Sequence, residues 1–264
     1  MNSFPLLLML GAGIAFTLFT LTWLISRKLD NYSFVDITWS YALAILSPVY
    51  AVLTEGYAPR HTLAIIMGTV WSLRLGTYLL FRIKRHHPHE DVRYQVLRKK
   101  WSSNLGSRFF AFFQAQALLA LLLSLPVLLA FLNPRPELGG WEITGALVWL
   151  VGIAGEGISD HQMQSFKADP ASKGRVCQVG LWHYSRHPNY FFESVTWWGF
   201  WLFACGSPWG WVTIYAPLMI LYTLLRVTGI PLTEKCAVES KGDAYRLYQR
   251  TTSAFVPWFP KHLP

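Results

Sequence analysis

The stretch FPLLLMLGAGIAFTLFTLTWLI, residues Phe4–Ile25, contains no charged side chain. A helix needs about 20 mainly apolar residues to cross the hydrocarbon core of a bilayer, and this stretch is long enough. It lacks a basic n-region and a small-residue cleavage site, and it is longer than the about 7–15 residues of a signal-peptide core. We therefore predict that it stays in the protein as a membrane-spanning helix.

The rest of the chain has the same apolar character. Of its 264 residues, 53% are hydrophobic and 14% are charged, whereas about 25% are charged in an average soluble domain. The net charge of +9 comes from Lys and Arg scattered through short loops, so it predicts topology signals and no nucleic-acid partner. The three cysteines form no C-x-x-C pair, and the run HHPHE at 86–90 has no further ligand at matching spacing. We therefore predict no metal site.

The apolar runs predict an all-α integral membrane protein, a single membrane domain over residues 1–264. The seven predicted transmembrane helices cover roughly 4–26, 36–54, 62–82, 108–133, 142–160, 189–206 and 208–228, followed by a tail at 229–264. Nearly all Lys and Arg lie in one alternate set of loops, while the other set holds only Arg60 and Arg135. The positive-inside rule then places the N-terminus outside and the C-terminus in the cytoplasm. We expect a multi-pass protein of a bacterial inner membrane, in contact with membrane lipids.

Ionisable side chains inside spans are costly and are therefore functional candidates. Asp36 begins the second span and is either an ordinary helix N-cap or a carboxylate at the edge of a pocket. On the third span, Trp71, Arg74 and Tyr78 share one helix face, which Arg82 extends. That face is either part of a site or a packing stripe, with Arg74 in a buried salt bridge to Asp36 or to a glutamate of the fifth span.

Two more pairs of polar residues share helix faces. Glu156 and Asp160 lie four residues apart near the end of the fifth span, where they meet either a ligand with hydroxyl donors or an internal cation. Asn189 and Glu193 follow Pro188, which is well placed for a first helical turn. We predict Asn189 at the cytoplasmic mouth of the sixth span and Glu193 about one turn deeper. The glycines of GIAGEG at 152–157 follow no strand and predict close helix packing.

Three blocks of sequence carry a family resemblance. They are EGISDHQMQSFK at 156–167, GRVCQVGLWHYSRHPNYFFESVTWWGFWL at 174–202 and YRLYQRTTSAFVPWFP at 245–260. Together they resemble the DUF1295 family of membrane proteins, relatives of the steroid 5α-reductases, over roughly residues 30–260. The resemblance implies seven transmembrane helices whose cytoplasmic loops cap a nucleotide site, with NADPH as cofactor and the carbon–carbon double bond of a lipid-soluble enone as substrate.

The same resemblance implies which residues contact the cofactor. Asp160 matches the nucleotide-contacting aspartate of the family, and Asn189 and Glu193 match the pair that holds the nicotinamide amide. Glu156 stands where the family has an asparagine, and Lys167 stands where it has an arginine. The full set of implied cofactor residues is Arg74, Arg82, Glu156, Asp160, Lys167, Arg175, Tyr184, Arg186, His187, Asn189, Glu193, Tyr248 and Arg250.

The chain departs from the steroid reductases where those enzymes activate the substrate carbonyl. They carry a Gln–Glu pair in the second span and a tyrosine in the third, whereas this chain has no such pair and has Trp71 at the tyrosine position. We take Asp36, Trp71 and Tyr78 as the catalytic candidates. An indole N–H can polarise a carbonyl but does not give up its proton. Steroid specificity is therefore not expected.

Two other functions fit parts of the pattern. A methyltransferase of the isoprenylcysteine carboxyl type, which uses S-adenosylmethionine, resembles this chain in its RHPxY motif and in a C-terminal glutamate, here Glu234. A non-enzymatic lipid binder or transporter is the third alternative, although no broken helices or paired halves are visible. The polar C-terminal segment is either a cap over a nucleotide, with Tyr245, Tyr248 and Arg250, or an amphipathic interface helix.

Overall fold

The computed structural model describes residues 3–261, and within them the chain is helical with no β-strand. Eleven α-helices lie in this range: α1 (Phe4–Lys28), α2 (Phe34–Leu53), α3 (Ala58–His86), α4 (Val92–Lys100), α5 (Leu105–Phe131), α6 (Gly140–Ala168), α7 (Leu181–Tyr184), α8 (Pro188–Ala204), α9 (Tyr215–Tyr222), α10 (Ile230–Lys241) and α11 (Asp243–Thr251). The chain divides into two compact units. Unit 1 runs up to Gly139 and includes Gly206–Gly210, and unit 2 comprises Gly140–Cys205 and the chain from Trp211 onward.

Six helical segments in the described range are long and apolar enough to cross a membrane. They are Phe4–Lys28, Phe34–Leu53, Ala58–His86, Ser102–Phe131, Gly140–Ala168 and Gly210–Lys241. The prediction of a multi-pass helical membrane protein is thereby supported, but seven spans are not confirmed. The predicted span 189–206 corresponds to α8, which has 17 residues and at 1.5 Å per residue is about 26 Å long, shorter than a hydrocarbon core of about 30 Å.

The last candidate span is not one regular helix. It begins with a 3₁₀ segment at Gly210–Ile214, continues as α9, passes through a π-helical segment at Thr223–Val227 and ends in α10. The carbonyl oxygen of Thr223 accepts the backbone N–H of Thr228 at 3.1 Å. This hydrogen bond has the i to i+5 spacing of a π-helix. The predicted span 208–228 therefore contains helical turns of three different pitches.

Aromatic stacking joins the elements of unit 1. Tyr32, in the turn between α1 and α2, stacks on Phe109 of α5 with ring centroids 3.6 Å apart, and Phe113 meets the same tyrosine edge-on. Phe19 of α1 is fully buried in the same core. Burial of these large rings stabilises unit 1 by about 25 cal/mol for each Å² of apolar surface removed from solvent.

Arg60 is fully buried and caps the loop that follows α5. Its guanidinium donates to the carbonyl oxygens of Asn133 at 3.3 Å, Arg135 at 2.6 Å and Glu137. Loop carbonyls lack the donors that a helix provides, and a guanidinium fork can reach several acceptors at once. In the sequence Arg60 was only one of two basic residues in the Lys-poor loops, and in the structure it is a cap on this loop.

Substituting Arg60 by Lys is expected to lower the free energy of unfolding by about 2 kcal/mol, because one ammonium cannot satisfy three separated carbonyls and charged hydrogen bonds contribute about 1.5–3 kcal/mol each. Thermal melts of the detergent-solubilised protein measure the loss. Arg135→Lys is the matched control, since the side chain of Arg135 is exposed. Equal melting temperatures for the two variants would show that the cap contributes nothing.

Glycines let α6 and α8 pack at very short distance in unit 2. A Cβ added at Gly152 would lie 2.5 Å from the backbone nitrogen of Thr196, and one at Gly199 would lie 2.5 Å from that of Trp149. A Cβ added at Gly155 would lie 2.3 Å from Cδ1 of the Phe192 ring. No side chain fits at these separations, so the interpretation of GIAGEG as a helix-packing stretch is confirmed. The close contact fixes which residues of α6 and α8 lie beside one another.

Candidate functional site

Polar side chains of α6 and α8 meet near the start of α8. Pro188 is the first residue of α8, as predicted, so Asn189 lies in its first turn. The amide Nδ2 of Asn189 donates to Oδ1 of Asp160 on α6 at 3.4 Å. α6 continues to Ala168 and Asp160 is therefore inside a helix, eight residues before its end rather than at it. The two residues that the sequence paired with a nucleotide are neighbours in space.

The orientation of the Asn189 amide leaves a buried acceptor. Because a carboxylate only accepts hydrogen bonds, the amide turns its NH₂ group towards Asp160 and its carbonyl oxygen away. That oxygen, Oδ1, is buried and has no hydrogen-bond donor within residues 3–261. Most buried polar atoms in proteins are hydrogen-bonded, so an acceptor of this kind calls for an explanation. A ligand with an N–H or O–H donor would provide one.

Two buried glutamates lie on the same pair of helices. Glu193 is one turn beyond Asn189 on α8, 8% exposed, and its Oε1 accepts the indole N–H of Trp197 at 2.9 Å. Glu156 is one turn before Asp160 on α6 and is 5% exposed. The contact between Gly155 and Phe192 places the backbones that carry the two glutamates side by side. We call Glu156, Asp160, Asn189 and Glu193 the α6–α8 cluster.

The segment before α8 is held by a carboxylate from α10. Oε1 of Glu234 accepts from Nε of Arg186 at 2.6 Å and lies 3.2 Å from Nε2 of His187. Oε2 of Glu234 accepts from Nε2 of Gln249 at 2.9 Å. Nη1 of Arg186 in turn donates to the carbonyls of Gln249 at 2.9 Å and Thr252 at 2.6 Å. We call Arg186, His187, Glu234 and Gln249 the Glu234 clamp.

Tyrosines complete the packing around this clamp. The hydroxyl of Tyr248 donates to the carbonyls of Trp182 and Ser185, the latter at 3.1 Å. Burial raises the pKa of Tyr248 well above its usual value, and burial also raises that of Tyr245 to about 12. Both phenols therefore remain protonated at neutral pH, and that of Tyr248 acts as a hydrogen-bond donor. Tyr190 stacks on the imidazole of His187 with centroids 5.3 Å apart.

A glycine positions the short helix α7 beside α6. Gly180 has φ +57°, a backbone conformation that favours glycine. A Cβ at Gly180 would lie 2.2 Å from Nε2 of Gln162. Oε1 of Gln162 accepts the backbone N–H of Leu181 at 2.9 Å, so α6 holds the first residue of α7. This contact helps to fix the chain that leads into Arg186 and α8.

The implied cofactor residues of unit 2 thus fall into three groups. Glu156, Asp160, Asn189 and Glu193 form the α6–α8 cluster; Arg186, His187 and Tyr248 make internal hydrogen bonds in or beside the Glu234 clamp; Lys167, Arg175, Tyr184 and Arg250 are exposed. The first group consists of polar side chains between two packed helices, the second holds the surrounding backbone, and the third lies at the surface and includes the cations Lys167, Arg175 and Arg250.

In unit 1, Asp36 is bound by two residues that follow α3. Its Oδ2 accepts from Nη2 of Arg93 at 2.7 Å, and its Oδ1 accepts from the hydroxyl of Tyr94 at 2.6 Å. Ser33 occupies the N-cap position of α2, so the interpretation of Asp36 as the N-cap is wrong. The sequence also suggested a salt bridge between Asp36 and Arg74. In the structure Asp36 forms its salt bridge with Arg93. No sequence pattern connects residues 57 or 58 positions apart, so these partners were missed.

Asp91, at the start of α4, binds Arg82, another implied cofactor residue. Nη2 of Arg82 donates to Oδ2 of Asp91 at 2.9 Å, and Nε of Arg93 donates to Oδ1 of Asp91 at 2.9 Å. Burial alone would raise the pKa of Asp91, but the hydrogen bonds and charge of Arg93, with the charge of Arg82, hold that pKa below its usual 3.8. The contribution of this carboxylate to stability is therefore present above pH 3.8 and is lost as the pH falls through the lower folded-state pKa.

The remaining catalytic candidates lie on α3. Trp71 is buried, 2% exposed, and meets Trp39 edge-on with centroids 6.1 Å apart. Arg74 is half-buried one turn further on. Tyr78 is 40% exposed. α3 therefore carries an indole, a guanidinium and a phenol at successive levels, as the spacing predicted.

The described part of the chain is helical and has six candidate spans, which places it among the multi-pass membrane proteins. Its polar cluster lies between two closely packed helices. Residues 22–252 match the model of a family described as a protein of unknown function, DUF1295, and the chain belongs to this family. It is also similar to an uncharacterized protein of Schizosaccharomyces pombe. The two are 30% identical over 277 residues, which cover 94% of this chain and 78% of that protein. No solved structure matches the chain.

Proposed function

We propose that this protein is an NADPH-dependent membrane reductase that saturates the carbon–carbon double bond of a lipid-soluble enone. The observation that carries the proposal is the buried, donor-less Oδ1 of Asn189, held in place by Asp160. In the reaction NADPH supplies a hydride to the β-carbon of the enone, a proton goes to the α-carbon, and NADP⁺ and the saturated carbonyl compound are formed.

The α6–α8 cluster fits the carboxamide of a nicotinamide. Such a group has an NH₂ with two donors, and the cluster offers acceptors from neighbouring turns of one helix, Oδ1 of Asn189 and the carboxylate of Glu193. Trp197 donates to Oε1 of Glu193 and so orients the carboxylate. A buried acceptor without a donor is costly in the free protein, and a bound amide would remove that cost.

The surface cations of unit 2 fit the charged part of the same cofactor. Lys167, Arg175 and Arg250 are exposed, and a 2′-phosphate needs cationic partners. We place the N-terminus outside and the C-terminus in the cytoplasm of a bacterial inner membrane, because the basic loops then face the nucleotide pool. The substrate would enter from the lipid, and burial in the membrane would keep water from the reacting atoms.

Among the catalytic candidates we favour Tyr78 as the proton donor. Both carboxylate oxygens of Asp36 already accept hydrogen bonds, from Arg93 and Tyr94, and are therefore engaged by the protein itself. Trp71 can polarise the substrate carbonyl through its indole N–H but cannot release the proton. A phenol can do both, and negative charge that builds on the carbonyl oxygen is stabilised by such a donor.

One observation favours a methyltransferase of the isoprenylcysteine type as a second candidate. The two features that suggested it, the RHPxY motif and Glu234, are in contact through Arg186 and His187. In the Glu234 clamp, however, the carboxylate is engaged by three side chains of the protein itself, so we interpret it as a structural group. The reductase remains our preferred function.

The test uses NADPH that carries deuterium at C4 of the nicotinamide. Purified protein in lipid nanodiscs is incubated with this cofactor and a membrane lipid extract, and the lipids are analysed by mass spectrometry. We expect a lipid carbonyl compound that has gained one deuterium and one hydrogen, and we expect its absence with Tyr78→Phe. Transfer of a methyl group from labelled S-adenosylmethionine, with no deuterium incorporation, would overturn the proposal in favour of the second candidate.

A further inference from the structure

The C-terminal tail of unit 2 forms a surface groove with an unusual composition. The groove is about 400 Å³ in volume, and its lining includes the cations Arg250 and Lys261 and the apolar side chains of Val256, Trp258 and Phe259. We call these five residues and the space between them the tail groove. None of them belongs to the α6–α8 cluster or the Glu234 clamp, and only Arg250 is also among the cations that we assign to the cofactor phosphate.

The tail is fixed in place by backbone hydrogen bonds. The N–H of Trp258 donates to the carbonyl of Tyr184 at 2.9 Å, and the N–H of Lys261 donates to that of Thr251 at 2.8 Å. The hydroxyl of Ser185 donates to the carbonyl of Phe255 at 2.8 Å. The tail is therefore tied both to α11 and to the residues just before α8. The position of its side chains is a property of the fold.

This fixed tail holds large apolar side chains away from the protein. Trp258 is 70% exposed, Phe259 is 75% exposed and Val256 is 54% exposed. Exposing three such groups to water is unfavourable, and a hydrogen-bonded tail cannot turn them inward. Trp and aromatic side chains are favoured in the headgroup layer of a bilayer, where the ring is partly desolvated. The three side chains therefore suit a membrane interface.

The groove also carries positive charge that has no acidic partner. The side chains of Arg250 and Lys261 are exposed, and neither makes a hydrogen bond or an ion pair with any residue from 3 to 261. Juxtamembrane cations are attracted to anionic lipids. A phosphate placed between the two cations would have the aromatic side chains beside its glycerol and acyl region.

We propose that the tail groove binds the headgroup of an anionic phospholipid of the bilayer in which the protein is embedded. A lipid fits better than a soluble anion because phosphate alone leaves Trp258 and Phe259 in water. The groove also lies beside a candidate span, since Gln249, the neighbour of Arg250, donates to Glu234 within Gly210–Lys241. The reductase proposal uses only Arg250 of this groove, and the test below is done without NADPH, so the two proposals can fail separately.

A nitroxide label at Val256→Cys tests this lipid site in the full-length protein. Cys236 and Cys205 are first changed to Ser, because neither is buried and both could take the label. Cys177 is buried and is retained, because it does not compete for the label. The protein is placed in nanodiscs of phosphatidylcholine alone or of phosphatidylcholine with phosphatidylglycerol. Collision with a water-soluble nickel complex and with oxygen then reports whether the label is in water or in lipid. With two cations, the ratio of lipid-occupied to empty grooves should rise by about thirtyfold in the anionic discs, and the label should move from water into lipid.

Charge-removing variants and a second label site decide the outcome. Arg250→Gln with Lys261→Gln should abolish the difference between the two kinds of disc, while a label at the exposed Lys173→Cys should not respond to lipid composition. Equal exposure of the Val256→Cys label in both kinds of disc would overturn the proposal. The same shift produced by inorganic phosphate in phosphatidylcholine discs would also overturn it, because it would assign the groove to a soluble anion.

Discussion

Changing Asn189 to Leu is expected to weaken NADPH binding by about tenfold or more. The substitution keeps a side chain of similar size at the start of α8 but removes both the amide that Asp160 orients and the acceptor Oδ1. Removal of one partner of a buried hydrogen bond weakens binding by about 1–3 kcal/mol. A change of about 1.4 kcal/mol in the binding free energy corresponds to tenfold in affinity. Titration of the purified variant with NADPH measures the change.

The adjacent tyrosine supplies a matched control for this substitution. The hydroxyl of Tyr190 lies 3.2 Å from Oγ1 of Thr233 in an exposed contact that involves no member of the α6–α8 cluster. Tyr190→Phe should therefore bind NADPH like the unmodified protein. If Asn189→Leu and Tyr190→Phe both bind normally, the assignment of the nicotinamide to the α6–α8 cluster fails.

Replacing Glu234 by Ala is expected to have the largest effect on stability. The change removes the acceptor for Arg186, whose side chain is 10% exposed, and for Gln249 and His187. Loss of one partner from a buried ion pair costs about 3 kcal/mol or more, because the other charge stays buried without compensation. The apparent melting temperature of the solubilised protein should fall by about 5–10 °C, as estimated from the size of the chain.

Two further variants separate the clamp from a general effect on α10. Glu234→Gln retains a carbonyl oxygen for Arg186 and should be destabilised less than Glu234→Ala. Glu239→Ala changes an exposed glutamate of the same helix and should melt normally. If Glu234→Ala melts at the same temperature as Glu239→Ala, the Glu234 clamp does not stabilise the fold.

Much of the helical fold was predictable because the bilayer imposes a length on its helices. The run Phe4–Ile25 and the apolar runs at 36–54, 62–82 and 108–133 match helices within a few residues, and the glycines at 152–157 correctly predicted close packing. The run at 142–160 belongs to a helix that continues to Ala168, and the run at 208–228 contains three kinds of helical turn. A further exception is α8, whose 17 residues fall short of a full span although its sequence is apolar. Composition alone could not show this, because Gly206–Gly210 and the following 3₁₀ turn end the helix early.

The candidate site was predictable only in part. Helical spacing put Asn189 and Glu193 on one face and Glu156 and Asp160 on another, while the encounter of Asn189 with Asp160 was expected only from the family resemblance. The partners of Asp36 depend on how α4 packs against α2, which local sequence does not encode. Interactions of this long-range kind are set by tertiary packing, so Arg93 and Tyr94 gave no signal.

The central claim is that the α6–α8 cluster belongs to a nicotinamide nucleotide site. Isothermal titration of the detergent-solubilised, full-length protein with NADPH and, separately, with S-adenosylmethionine tests it most directly. We predict saturable binding of NADPH and none of S-adenosylmethionine. Saturable binding of S-adenosylmethionine, with no heat from NADPH, would contradict the account.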